Sequence, residues 1–304
     1  MSLEGKTIAL SGASGLVGSA LTKRAAQWGC SIVPLVRNRA LANNNTVYWN
    51  YSEGELDARR LEGCDAVVHL AGESIASLRW SRAKMEKIKS SRIDSTAFLA
   101  RRLSELSHPP GTFICASATG FYGSRGPDIL DESSPAGDTF LAEVCKGWEN
   151  SCSPLLDKNV RVVNLRIGMV LSPEGGALSA MLPIFRLGAG GRLGDGCQWN
   201  AWIHLHDLVN SIGFCLNNEK MHGAVNSVAP EAVTNLEFTR TLASILGRPA
   251  LLPVPAILLR LLAARVADEL LLASCRAIPR RLLDHGFAFE YPILEQSLRS
   301  ILYH

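Results

Sequence analysis

The stretch TIALSGASGLVGSALTKRAAQWGC, running from Thr7 to Cys30, decides the fold. It opens as a short apolar strand, turns through Gly12-Ala-Ser-Gly15-Leu-Val-Gly18, and continues from Ser19 to Trp28 as a helix closed by Gly29. A turn from strand into helix leaves backbone N–H groups unpaired and points the positive end of the helix dipole outward, where an anion can sit. Glycine alone lets a pyrophosphate approach that backbone closely. The G-x-x-G-x-x-G triplet predicts a dinucleotide seat because it follows a strand and opens a helix; out of that context it would mean little.

Ser31 to Val36 is a second apolar strand, reached after almost no loop, and it completes a βαβ unit. The residues after it choose the cofactor. A site for NAD places an acid here to accept from the ribose 2′-hydroxyl, whereas a 2′-phosphate needs a cation. The chain reads Val36-Arg37-Asn38-Arg39, with no acid. Arg37, helped by Ser14, is the expected phosphate partner and NADP(H) the expected cofactor, with Leu16, Val17, Val36 and Asn38 lining its seat.

Strand and helix patterns then alternate. Strands are predicted at residues 47–50, 65–70, 112–116, 160–165 and 224–228, with a helical turn region at 55–63 and helices over 82–106, 140–156, 236–246 and 255–272. Such alternation means an α/β fold with a doubly wound parallel sheet, whose chemistry sits at the carboxyl ends of the strands. The strand ending His69-Leu70-Ala71-Gly72 brings small residues to that edge, with His69 itself read as packing. After Gly168 the texture turns to glycine-rich loops. The expected division is a Rossmann core over 1–175, taking back strands near 200–207 and 223–228, and a smaller, mainly helical lobe over 176–200 and 229–304. The leucine-rich helix 255–272 is read as buried core or a partner surface, with core the favoured of the two.

The chain has 304 residues, 47% hydrophobic and 19% charged, which suits an ordinary globular protein. Its net charge of +3 is spread along the chain, so no nucleic-acid surface is expected. Charges interrupt each apolar stretch before the roughly 18 residues of a membrane span, so no membrane partner is expected either. Met1 to Lys6 lacks the layout of a signal peptide. Eight scattered cysteines without a CxxC pair read as reduced thiols, pointing to the cytoplasm or another reducing compartment. His204-x-His206-Asp207 has no third ligand spaced to help, so no metal is expected, and Asp207 reads as a helix N-cap.

The residues resemble the extended short-chain dehydrogenase/reductase superfamily, and within it the SDR39U1-like branch, known as nucleoside-diphosphate-sugar or SulA-like epimerases. The carriers are the Gly12 motif, Leu70 to Glu73, Arg79-Trp80, Ser91-Arg92, Ser117 to Gly123, Trp148-Glu149 and Leu165 to Leu171. They continue through Pro183 to Gly188, Gly194 to Gln198, Trp202 to His204, Pro249, Pro279 to Leu283 and Gly286-Phe287. The resemblance implies further cofactor contacts from Glu73, Arg92, Gly168 and Val170. It also implies a cleft lined by Thr119, Arg186, Arg192, Gln198 and Trp199, in a monomer or homodimer.

The superfamily's chemistry is normally carried by a serine and a Tyr-x-x-x-Lys pair, the tyrosine working as acid and base. Ser117 matches the serine, but no tyrosine here is followed four places on by lysine. On the helix where the pair belongs, Lys146 is present and Ala142 stands where the tyrosine would be. Three readings follow: Tyr122, or behind it Cys145 or Lys146, donates the proton; the reaction needs no strong acid there; or the protein binds NADP(H) without turnover. The sequence thus points to an NADP(H)-dependent oxidoreductase or epimerase acting on a small polar molecule such as a nucleotide sugar, or else to a non-catalytic regulatory or redox-sensing NADP(H) binder.

Overall fold

A computed structural model describes residues 3–303; Met1, Ser2 and His304 lie outside the described residues. The glycine-turn unit folds as read: strand β1 (Thr7–Ser11), helix α1 (Leu16–Gln27) and strand β2 (Ser31–Val36). The chain then runs through β3 (Val47–Asn50), β4 (Glu55–Leu56), β5 (Ala66–His69), α2 (Arg82–Ser90), α3 (Ile93–Ser104) and β6 (Thr112–Ala118). After β7 (Ile129–Leu130) come α4 (Phe140–Asn150), α5 (Ser153–Leu156), β8 (Arg161–Ile167), β9 (Met169–Leu171) and α6 (Gly176–Arg186). The last third holds β10 (Trp199–Asn200), β11 (Trp202–His204), α7 (Leu205–Asn217), β12 (Gly223–Ser227), β13 (Val233–Thr234) and α8 (Asn235–Leu246). It ends with α9 (Ala256–Ala263), β14 (Arg276–Ala277), α10 (Arg280–Asp284) and α11 (Leu294–Tyr303).

Eight strands form one sheet in the order β12-β8-β6-β5-β1-β2-β3-β4, parallel throughout except for the antiparallel β3–β4 edge. The chain winds outward from β1 through β2 and β3, then returns to the other side of β1 as β5. That reversal between β1 and β5 opens the crevice in which doubly wound sheets bind ligands. Apolar side chains fill both faces. Leu99, Leu103, Trp148 and Leu155 cover one with Trp49 and Phe113, while Leu21, Val209, Ile212 and Leu282 cover the other with Ile8 and Val163. A further cluster of Leu178, Leu182, Phe185, Trp202, Phe238 and Leu298 holds α6, α8 and α11 together.

Several predicted boundaries move, each for a local reason. The helix expected over 82–106 breaks at Ser91-Arg92, where the Ser91 hydroxyl accepts the Glu73 N–H at 2.9 Å instead of leaving the helix to run straight. The helix expected over 140–156 breaks ahead of Pro154, which sits in the first turn of α5. The 55–63 region begins as β4 before its short 3₁₀ turn at Ala58–Leu61. The glycine-rich stretch after Gly168 contains a full helix, α6, carrying Pro183 within it. The helix expected over 255–272 is interrupted at Ala264, which turns to φ +48°, and helical structure resumes as a π-helical turn at Ala267–Leu271. Its outer face is exposed, not buried core: Ile257 is 70% and Leu261 66% exposed. Asp207 is not the N-cap of α7; His204 is, its Nδ1 accepting the His206 N–H, while Asp207 takes the N–H groups of Glu290 and Tyr291 and ties the C-terminal segment to the core.

Candidate active site and dinucleotide seat

The seat at the head of α1 is built from backbone. Gly12 sits at φ +74°, and a Cβ there would stand 3.0 Å from the Ala71 nitrogen of the next strand's exit. On Gly18 a Cβ would overlap the Gly12 carbonyl oxygen, so the turn closes only with hydrogen at that position. Helix α1 begins after Gly15 with no side-chain cap and no acid in its first turn. Its first N–H groups and dipole therefore remain available to an anion, and Ser14 and Gly15 lie exposed beside them.

The floor of the crevice is locked by a chain of hydrogen bonds through His69. The Ser11 hydroxyl accepts the N–H groups of Leu70 and Ala71, each at 3.2 Å, so its own proton goes to His69 Nδ1 at 2.6 Å. His69 Nε2 then faces Ser95 Oγ at 3.4 Å, which donates to the Ser91 carbonyl. Burial lowers the His69 pKa to about 4, so the ring is neutral. It joins the tips of β1 and β5 and packs between Trp49 and Phe113, in keeping with its reading as a packing residue.

At the end of β2, Arg37 is exposed and makes no hydrogen bond or ion pair among the described residues. Asn38 caps the following 3₁₀ turn through Ala40 N, and Arg39 is spent on Glu55 and the Tyr48 ring. Glu73 faces Lys84 at 2.6 Å; that hydrogen bond, with Lys87 and Arg37 also near, holds its carboxyl below the usual range. Arg92 lies beneath Gly72, donating to the Glu73 and Ile88 carbonyls and stacking on Trp148. Its contacts brace the 70–73 turn from below. Gly168 and Val170 belong to the β8-to-β9 switch, where a Cβ on Gly168 would meet the Ala201 oxygen at 2.7 Å.

The proton-transfer residues are arranged differently from the sequence expectation. Ser117, next to last in β6, donates its hydroxyl to Glu149 Oε1 at 2.8 Å. Glu149 is clamped by both arms of Arg166, Nε at 2.8 Å and Nη2 at 2.9 Å, with Arg166 stacked on Phe121 at 3.4 Å. Tyr122 accepts from Arg166 and donates to Asn226 Oδ1 at 2.6 Å, with the Asp131 carbonyl at 2.9 Å. Burial pushes its pKa up to about 12 against the pull of Arg166. Tyr122 is 0% exposed, so it is a sealed strut of this network and is no proton donor to a ligand.

Lys146 is likewise misplaced for catalysis, because it projects to solvent from α4. The face of α4 turned toward β6 carries Leu141, Cys145 and Glu149: a Cβ on Gly120 would lie 3.4 Å from Leu141 and 4.0 Å from Cys145 Sγ. That is the i, i+4, i+8 row of a helix, one residue ahead of Ala142 and Lys146. Burial raises the Cys145 thiol to about 11, so it stays protonated and unreactive.

The cleft residues divide too. Thr119 sits where the turn after β6 meets Cys275. Trp199 is half-buried under Arg276 at 4.1 Å. Gln198 is a clamp, not a reader of substrate: its amide donates to the Leu193 and Leu271 carbonyls, both at 3.1 Å. Arg186 and Arg192 are exposed without polar partners among the described residues. Arg260 and Arg265 line a cavity of about 480 Å³ shared with Ser124, Thr139, Phe140 and Glu269. Glu269 there caps α4 across the chain, taking the N–H groups of Phe140 and Leu141. Glu149 and Arg166 appear in the sequence only as part of the family resemblance and Glu269 not at all, because their roles depend on partners 17 to 129 residues away.

The profile of the NAD dependent epimerase/dehydratase family matches residues 8–229, and a domain of unknown function, DUF1731, matches residues 254–301. The epimerase family protein Mb2239 of Mycobacterium bovis is 40% identical over 291 residues, covering 96% of each chain. The crystal structure of human epimerase family protein SDR39U1 (isoform 2) with NADPH superposes with a TM-score of 0.88 at 31% identity, over 98% of this chain and 99% of that one. A nucleoside-diphosphate sugar epimerase from Corynebacterium glutamicum superposes with a TM-score of 0.82 at 33% identity, over 99% of this chain and 59% of that one.

Proposed function

Because the chain belongs to the NAD dependent epimerase/dehydratase family, we propose that it binds NADP(H) and acts as an oxidoreductase or epimerase on a small polar substrate such as a nucleotide sugar. One observation carries the cofactor reading. The uncapped head of α1, closed by Gly12 and Gly18, lies at the switch between β1 and β5, and the unpaired Arg37 stands at the end of β2 where an NAD site would have an acid. The structure of the human relative with NADPH supports the same choice.

When bound, the nicotinamide supplies hydride transfer. The chain's own part is positioning: Ser117, its one proton committed to Glu149, offers lone pairs to a ligand and so recognises a hydroxyl or N–H donor. Arg265 and Arg260, each beside an acid, would meet the polar groups of a substrate in the adjoining cavity.

A second reading, binding without turnover, is favoured by the same network, since Tyr122 is sealed, Cys145 is a buried thiol and Ser117 has no proton to give. Titration with NADPH and NADH by nicotinamide fluorescence, in the wild type and in Arg37→Ala, tests the cofactor. NADPH should bind more tightly, and the variant should lose about 10- to 100-fold in NADPH affinity, the worth of a charge-assisted contact. Equal affinities in the wild type would overturn the NADP(H) assignment. Hydride transfer from 4-deuterated NADPH to a panel of carbonyl compounds then separates the two readings, label transfer supporting the enzyme and its absence the binder.

A further inference from the structure

Helix α9 shows its greasy side outward. Leu259 and Ala263 face inward and are buried, while Ile257, Leu258, Leu261 and Leu262 form an exposed row on the opposite face. Leu251, 82% exposed, and Leu252 extend that row ahead of the helix. The end of α6 lies alongside. A Cβ on Gly188 would stand 3.5 Å from the Pro249 ring, and Val254 N donates to the Arg192 carbonyl while Gly194 N donates to the Val254 carbonyl. Leu187, 83% exposed, stands directly before Gly188 at this junction. Exposed leucines and an isoleucine gathered on one helix face and on the segments beside it mark a contact surface.

Charge identifies what it contacts. Residues 183–194 and 248–267, the two segments that form the patch, contain five arginines and no aspartate or glutamate, and the acids that follow directly are Asp195, Asp268 and Glu269. Asp268 and Glu269 offset Arg260 and Arg265, but Arg186, Arg192 and Arg248 have no polar partner among the described residues. In a two-fold dimer through this face, two copies of the same arginine-bearing surface would meet, with like net charge on both sides. A surface that takes up aliphatic side chains and presents anions around them satisfies both features.

We propose that this face is a peripheral docking surface for an anionic phospholipid membrane, with the α9 leucines entering the headgroup boundary and the unpaired arginines meeting lipid phosphates. No helix among the described residues is long and apolar enough to cross a membrane, so the contact lies on the bilayer without spanning it. The proposal does not depend on the cofactor assignment, since the patch shares no residue with the glycine turn or Arg37.

The test is co-sedimentation of the full chain with vesicles of phosphatidylcholine alone and of phosphatidylcholine with an equal part of phosphatidylglycerol. Binding to the anionic vesicles should exceed binding to the neutral ones at least fivefold and fall toward the neutral level in 0.5 M NaCl. Leu258→Glu with Leu261→Glu should lower it at least tenfold, and Arg248→Glu should lower it with the leucines intact. An unchanged circular dichroism spectrum in each variant shows that the fold survives. Equal binding to both vesicle types, no binding, or binding indifferent to these substitutions would overturn the proposal. So would a concentration-dependent dimer, seen by light scattering without lipid and abolished by Leu261→Glu, which would assign the face to a second copy.

Discussion

At the scale of single residues, hydrogen-bond valence decides what each candidate can do. A serine that accepts two backbone N–H groups must donate to a third partner, which fixes Ser11 against His69. By the same count Ser117 has committed its proton to Glu149, and Tyr122 has no capacity left. Tyr122→Phe should therefore cost about 1–3 kcal/mol of unfolding free energy, because Asn226 Oδ1 loses its donor inside the protein. NADPH affinity should stay at the wild-type value. Urea denaturation paired with the fluorescence titration checks both, and a variant that lost cofactor binding at unchanged stability would return Tyr122 to the ligand site.

At the scale of elements, the start of α4 depends on a distant carboxylate. Thr139 caps Ala142 N in the ordinary way, but Phe140 N and Leu141 N are satisfied by Glu269 from beyond α9. Glu269→Ala should destabilise the chain by about 1–2 kcal/mol, the usual cost of losing a helix cap. It should also expose residues 264–272 to protease, while Glu269→Gln, which keeps an acceptor oxygen, should recover most of the loss. Limited proteolysis with mass spectrometry reads the site of cutting, and equal resistance in wild type and Glu269→Ala would show that the cap does not hold this segment. The same contact explains why residues 255–272 do not form one helix: the chain turns at Ala264 so that Glu269 can reach α4.

At the scale of the whole molecule, two histidines, the buried His69 and the half-buried His204, couple folding to pH. The pKa values of His69 and His204 are both lowered to about 4, by burial and, for His204, also by His206, whereas an unfolded histidine titrates near ~6.5. Between those values the unfolded chain binds more protons than the folded one, so stability rises with pH there. The contribution is whole above about 6.5 and drains as pH falls toward 4. The urea midpoint should decline from pH 6.5 to 5, before most carboxylates titrate, and His69→Gln should flatten part of that slope. A wild-type midpoint that stayed level across this interval would remove the histidines from the account.

Much of this protein was legible from short-range pattern. The βαβ opening, the parallel sheet, the glycine seat and the cation at the end of β2 depend on residues a few places apart, where steric limits on glycine and the period of strand and helix act directly. The absence of a Tyr-x-x-x-Lys pair was legible for the same reason. The identity of the residues facing Ser117 was not, because a one-residue offset on α4 turns the helix by about 100° and exchanges Ala142 and Lys146 for Leu141 and Cys145. Nor was the outward face of α9, since a leucine-rich helix reads alike whether neighbours cover it or water does. The Ser117–Glu149–Arg166–Tyr122 network and the Glu269 cap belong to packing, which brings together groups that no spacing along the chain connects.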